Sequence, residues 1–322
     1  MTASPERTDG YDLYNLFHHN IVYEIRLEQA LAEDLLCPFH YFGISDLWID
    51  GKEINLEEDT ISFSNLSEGE RVDKIIEKIR YFGHSGSRVK GLVFCSNKKE
   101  AKELSDAFNL RKFRTISLTG DDSQAKREDA IARLTGTGAY QGFVDDQLDY
   151  IFTVDIFNEG VDIPEVNQVI MLRQTESPIV FIQQLGRGLR KFEDKEYVVI
   201  LDFIGNYSNS YMIPLALSGD RSYNKDTLRK YVQSGNRIIP GTSTVHFDAI
   251  AKKRIFAAID TANLSSAKLI KEAYLDLKYK LGHIPRIKDF KDYGSIDITK
   301  IFNKYKSCLL YTSPSPRDRT RS

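Results

Sequence analysis

Cysteine is scarce, and none of it is arranged for chemistry. The 322 residues hold three, Cys37, Cys95 and Cys308. An odd number with no C-x-x-C or Cys/His metal spacing argues against a disulfide-stapled secreted fold and against a structural zinc site. The six histidines show no H-x-x-x-H spacing, and no G-x-S-x-G elbow occurs. Neither a metal centre nor a covalent serine nucleophile is expected. No run approaches the roughly 18 continuous apolar residues of a spanning helix, and MTASPERTDG has neither the basic n-region nor the apolar h-region of a signal peptide. The expectation is a cytoplasmic protein with no membrane partner.

With 41% hydrophobic and 28% charged residues, the composition is that of an ordinary globular chain. The net charge of −2 is unevenly placed: Val245 to Lys306 carries 13 Lys/Arg against 7 Asp/Glu, leaving residues 1–244 strongly acidic. Such a basic module on an acidic body suits a polyanion, and equally a solvated, lysine-rich helix face.

Residues 88–206 alternate short β-branched runs with amphipathic stretches, which implies an α/β domain with a mainly parallel sheet. The expected strands are Val89 to Cys95, Thr115 to Leu118, Leu148 to Asp155, Gln168 to Leu172 and Tyr197 to Phe203. Asn97 with Glu100 makes a capping-box helix start, a second helix runs from Ser123, and a third opens with Ser177 and Pro178. Upstream, 11–87 reads as a connecting segment with helices near Arg26 to Leu36 and after Ser67. The turn-rich 207–244 reads as a connector, and 245–306 as a smaller all-α accessory domain. The tail from 307 reads as disordered and resembles translated adapter sequence, so it is set aside.

Two clusters carry chemistry. In QQLGRGLRK, Gln183, Gly186, Arg187 and Arg190 fall at i, i+3, i+4 and i+7, so the spacing predicts one helical face with two guanidiniums a turn apart. A pair of permanent cations that each donate two parallel hydrogen bonds suits a phosphate chain. Glycines at 186 and 188 each cost about 1 kcal/mol inside a helix, which a purely solvated helix would not require. In VDIFNEGVDIPEV, Gly160 permits close backbone approach, while Asp155, Glu159 and Asp162 offer acceptors; alone, this is a tight loop between strands.

Together the clusters resemble superfamily 2 helicases of the DEAD/DEAH type. VFCSN (Val93 to Asn97) is similar to motif IV, TGDDSQAKRE (Thr119 to Glu128) to motif IVa, FTVDIFNEGVDIP (Phe152 to Pro164) to motif V, and QQLGRGLRK to motif VI. Their order matches the second RecA-like domain, a three-layer fold, and four short motifs in register are far more specific than one. Thr2-Ala3-Ser4-Pro5 resembles motif III, which closes the first RecA-like domain, so residues 1–10 are expected to be its remnant. Neither a G-x-x-x-x-G-K-[ST] phosphate loop nor a D-E-x-[HD] motif occurs. The chain is therefore expected to be a fragment, inactive alone, that needs the first RecA-like domain as its partner.

The resemblance implies ATP as cofactor, with Mg²⁺ held mainly by that other domain. Arg190 corresponds to the arginine finger, worth roughly 10³ to 10⁵ in rate where such fingers act, with Arg187 its companion and Gln183 orienting the site. Gly160, Asp162 and Gly186 correspond to nucleotide-site positions, and Thr2 and Ser4 to interdomain coupling. Ser96, Asn97, Thr119, Gly120 and Asp155 correspond to contacts with a nucleic-acid backbone, which carry no base information. Glu159 stands where many RNA helicases carry Arg, which favours DNA over RNA. The segment from VVILDFIGNY onward resembles bacterial helicases with a C-terminal accessory domain, where Lys252, Lys253 and Arg254 are candidate phosphate contacts. The resulting reading is an ATP-dependent helicase or translocase. The alternatives are the motor subunit of a restriction system and a non-enzymatic nucleic-acid-binding or regulatory module.

Overall fold

The computed structural model describes residues 13–21, 25, 27–45, 68–154, 163–173, 177–205, 208–234 and 242–305. Among them, seven strands form one sheet: β1 (Phe39–Ser45), β2 (Gly91–Phe94), β3 (Thr115–Leu118), β4 (Tyr150–Thr153), β5 (Gln168–Met171), β6 (Val198–Ile204) and β7 (Thr244–Phe247). The order is β3-β4-β2-β5-β6-β1-β7 and every pairing is parallel. Every strand therefore ends at the same edge of the sheet. The helices are α1 (Leu13–Leu16), α2 (Leu27–Ala32), α3 (Glu68–Phe82), α4 (Lys98–Leu110), α5 (Gln124–Thr135), α6 (Pro178–Gly186), α7 (Met212–Ser218), α8 (Lys225–Ser234), α9 (Ala249–Thr261), α10 (Ala267–Leu281), α11 (Ile287–Asp292) and α12 (Ile298–Tyr305).

Parallel strands need both faces covered, and β2, β4, β5 and β6 are buried along their whole lengths. On one face Val72, Ile75, Ile76 and Ile79 of α3 and Ala101, Leu104 and Phe108 of α4 meet Val93, Phe152, Ile170 and Leu201. On the other, residues of α5 to α9 close over Leu92, Ile151, Val169 and Ile200. The outcome is the expected α/β sandwich of three layers. A separate small core, Ile270, Leu277, Phe290, Ile296 and Ile301, joins α10 to α12.

The capping signals work as the sequence implies. Asn97 Oδ1 accepts the Glu100 N–H at 2.9 Å, Ser123 Oγ accepts Lys126 N–H at 3.3 Å, and Gly83 follows α3 in the left-handed region. Three boundaries differ. The sheet is not confined to 88–206: it gains β1 from the expected connecting segment and β7 from the start of the expected accessory domain, where Val245 and Phe247 are buried and His246 points out, an alternation with strand period. The 207–244 segment is more than a connector, because α7 and α8 bury Ile213, Leu215, Leu228 and Tyr231. In turn α9 packs Ala251, Ile255 and Ile259 into the main core, so the separate helical unit begins with α10.

Candidate nucleotide and nucleic-acid interface

The expected nucleic-acid residues gather where strands end. Ser96 and Asn97 follow β2, and Thr119 and Gly120 follow β3. The local structure uses some of their polar groups. Ser96 N–H donates to Glu100 Oε2 at 2.7 Å and its hydroxyl to the Leu172 carbonyl at 3.4 Å. Asp122 Oδ2 accepts the Thr119 N–H at 2.7 Å, and Arg127 donates to the Gly120 carbonyl at 2.8 Å. Hydrogen bonds from Lys126 and from the Thr119 backbone hold the Asp122 carboxyl below the usual range, so this loop stays ionised and internally paired. Ser96, Asn97 and Gly120 remain exposed.

The basic triplet reaches the same edge by another route. Asp248, just past β7, caps α9 by accepting Ala251 N–H at 2.6 Å and also holds Ser45 at the end of β1. This puts Lys252, Lys253 and Arg254 in the first turns of α9, beside the strand ends. Arg254 Nη1 donates to the carbonyl of Ile204, the last residue of β6, at 2.6 Å. Arg254 is thus partly committed to the fold, Lys252 is half-buried and Lys253 exposed.

The arginine cluster lies elsewhere. It does not share a helical face, because α6 stops at Gly186. Beyond it the chain turns through i to i−3 bonds, Arg187 to Gln184, Gly188 to Leu185 and Leu189 to Gly186, at 3.2–3.3 Å. Packing decides this: Leu185 and Leu189 are both buried, and a Cβ on Gly188 would fall 2.9 Å from Val198 Cγ1. Helix α6 runs back along the sheet, so this turn meets residues that precede strands. The Cys37 N–H donates to the Leu189 carbonyl at 2.8 Å, two residues before β1, and Val198 opens β6. Arg190 is exposed there, while Arg187 and Gln183 are half-buried. The turn and the nucleic-acid edge are therefore separated by the length of the strands, roughly 13 Å for four residues.

Lysine 195 was hidden from sequence reasoning, since it sits in the charged run KFEDKE, which reads as solvated surface. Only 8% exposed, its ammonium donates to the carbonyls of Gly188 at 2.9 Å, Val166 at 3.1 Å and Pro164. Gly186, by contrast, has open space where a Cβ would stand, with no atom within 4 Å. Asp155, Glu159, Gly160, Asp162, Thr2 and Ser4 lie outside the described residues. Among the described residues there is no group of three or more His, Cys, Asp or Glu that could hold a metal ion, and no helix long and apolar enough to cross a membrane.

Residues 70–192 match the family "Helicase conserved C-terminal domain". Over these residues the chain is similar to the C-terminal domain of helicases. The matched span runs from α3 to the residues just after the arginine turn, and so takes in Ser96, Asn97, Thr119 and Gly120 as well as Arg187 and Arg190. Residues 270–313 match a domain of unknown function, DUF8090, which coincides with the separate helical unit from α10. Among curated proteins, the chain is similar to the putative ATP-dependent helicase IRC3 of Saccharomyces cerevisiae, 25% identical over 226 residues, 69% of this chain and 31% of that protein. It is 32% identical over 103 residues to the probable ATP-dependent RNA helicase ddx41 of Dictyostelium discoideum, 31% of this chain and 14% of that one. The chain spans about a third or less of the length of these helicases. A solved fragment of a putative HsdR subunit of a type I restriction enzyme from Vibrio vulnificus covers 63% of this chain and 38% of that one at 22% identity, with a TM-score of 0.45.

Proposed function

We propose that this chain supplies the second half of an ATP-driven DNA helicase or translocase, with Arg190 and Arg187 completing a nucleotide site whose phosphate loop belongs to another domain. The carrying observation is the arginine turn itself. Arg190 is exposed at the end of a segment pinned by the Cys37–Leu189 bond and by Lys195 on Gly188, with no room for a Cβ at Gly188 beside Val198. A guanidinium offered from a fixed backbone suits charge that develops during phosphoryl transfer, because no reorganisation is needed when the charge appears. The residues fit a nucleotide: Gly186 leaves room for close approach, and two guanidiniums follow it in sequence.

ATP, when bound, supplies the phosphoanhydride whose hydrolysis drives movement, and Mg²⁺ belongs with the phosphate-loop domain. Arg190 binds and stabilises the terminal phosphate oxygens, Arg187 assists, and Gln183 orients the site. At the opposite edge Ser96, Asn97, Thr119 and Gly120 hold a nucleic-acid backbone, extended by Lys252 and Lys253. Glu159, in place of a phosphate-binding Arg, supports DNA, although relatives bear the names of both ATP-dependent helicases and RNA helicases.

The test joins this chain to a phosphate-loop domain. Residues 1–322 alone should show no ATPase above background, and the joined protein should hydrolyse ATP faster with single-stranded DNA than with RNA. Arg190→Ala should lower stimulated turnover by at least ~10³ with ATP binding nearly intact. Retention of more than about a tenth of wild-type turnover would overturn the arginine-finger role, which requires that larger loss. Stimulation by RNA alone would overturn the DNA assignment.

A further inference from the structure

We propose that Lys195 is a positioning residue that locks the arginine turn to the chain returning from the nucleic-acid edge, and so carries displacement at that edge to Arg187 and Arg190. The inference rests on the helicase reading above. An ammonium has three hydrogens, and here three carbonyls receive them: Gly188, Val166 and Pro164. Gly188 lies between the two arginines. Pro164 and Val166 lie in sequence between β4, which ends at the nucleic-acid edge, and β5, which begins at the opposite one. One side chain therefore ties the arginine turn to the only stretch of backbone that directly joins β4 to β5.

A buried cation is an expensive way to fill space, and an apolar side chain of the same length would do that at lower cost. What the ammonium adds is direction, since it draws carbonyls from two separate segments to one point. The turn has a second anchor in the Cys37 N–H bond to Leu189, which reaches β1 and does not touch the 163–166 segment. Loss of Lys195 should therefore leave the turn roughly in place while uncoupling it from the nucleic-acid edge. The position also explains why the residue is lysine: the guanidinium of an arginine is planar, and cannot direct three N–H groups onto three converging carbonyls.

The experiment has two parts. In residues 1–322, Lys195→Met should speed amide exchange at least about tenfold in both 163–167 and 187–189, with 199–204 unchanged, because the opening is local. Exchange unchanged in either segment would overturn the clamp. In the joined protein, the ratio of DNA-stimulated to basal kcat should fall by about tenfold or more, with the KM for ATP within about twofold of wild type. That ratio is the informative readout, since a fold defect that only lowers the active fraction cancels from it. An unchanged ratio, whatever the absolute turnover, would overturn the coupling role. Should Lys195→Met fail to fold, Lys195→Arg keeps the charge and is expected to fold and still to lower the ratio; a wild-type ratio there overturns the proposal equally. If instead wild type and Arg190→Ala turn over alike, the helicase reading fails, and the exchange result still decides whether the clamp exists.

Discussion

A single methyl group added at Gly186 or at Gly188 should have opposite effects on stability, although the two positions are two residues apart on one turn. At Gly188 the new Cβ would stand 2.9 Å from Val198 Cγ1 and 3.4 Å from Val169 Cγ2. Both valines are fully buried on strands in the middle of the sheet, and branching at Cβ holds their rotamers, so neither yields easily. Overpacking of this kind costs about 1–3 kcal/mol. The reduced entropy of the unfolded chain returns about 0.4–1 kcal/mol, leaving Gly188→Ala destabilised by roughly 0.5–2 kcal/mol. At Gly186 no atom lies within 4 Å of the new methyl, so only the gain of about 0.4–1 kcal/mol remains. Denaturant midpoints of residues 1–322 should separate the two variants by about 1–3 kcal/mol, or several degrees in melting temperature at about 2–4 °C per kcal/mol. A Gly188→Ala variant as stable as Gly186→Ala would refute the packing argument. In the joined protein the order should reverse for Gly186: a more stable variant with weaker ATP binding, measured by nucleotide titration, is what a glycine kept for nucleotide approach predicts.

Burial pushes the Asp202 carboxyl up to about 7, against the opposing hydrogen bond donated by Tyr41 at 2.5 Å. The folded state thus holds a proton that the unfolded chain releases near its ordinary value, so this group's contribution falls by about 1.4 kcal/mol per pH unit between about pH 4 and pH 7 and is constant above. Asp202→Asn should be more stable than wild type at pH 8, with the difference shrinking toward pH 5 in parallel unfolding curves; a difference independent of pH would refute it. Replacing Lys252, Lys253 and Arg254 by Gln should flatten the log-affinity against log-salt slope for DNA by about two units, not three, because Arg254 is committed to Ile204. An unchanged slope would make that face structural. Arg190→Lys should fail to restore the turnover lost in Arg190→Ala, since a point charge lacks the planar fork; recovery in a single-turnover assay would refute bidentate contact.

The sequence by itself determined the layered α/β core and the helix starts within it. Alternation and β-branched runs mark β2 to β6, and Asn97, Ser123 and Gly83 open or end helices through local hydrogen bonds and backbone freedom that need no distant partner. The motifs were equally legible, because each is a short contiguous string. Only the tertiary structure decided where those strings stand relative to one another. Seven parallel strands place Ser96, Thr119 and Lys253 at one edge, whereas α6 stops at Gly186 and the turn after it, where Gly188 has no room for a Cβ beside Val198, sets Arg190 at the other. Strand β7 was invisible for the same reason: four residues within a helix-rich stretch carry too little period to be read, and pairing with β1 supplies what local propensity does not. Lys195 is the sharpest case. A lysine in an acidic run is solvated by default, and only the convergence of three carbonyls from residues 7 to 31 positions away from it, brought together by packing, makes it a buried tie.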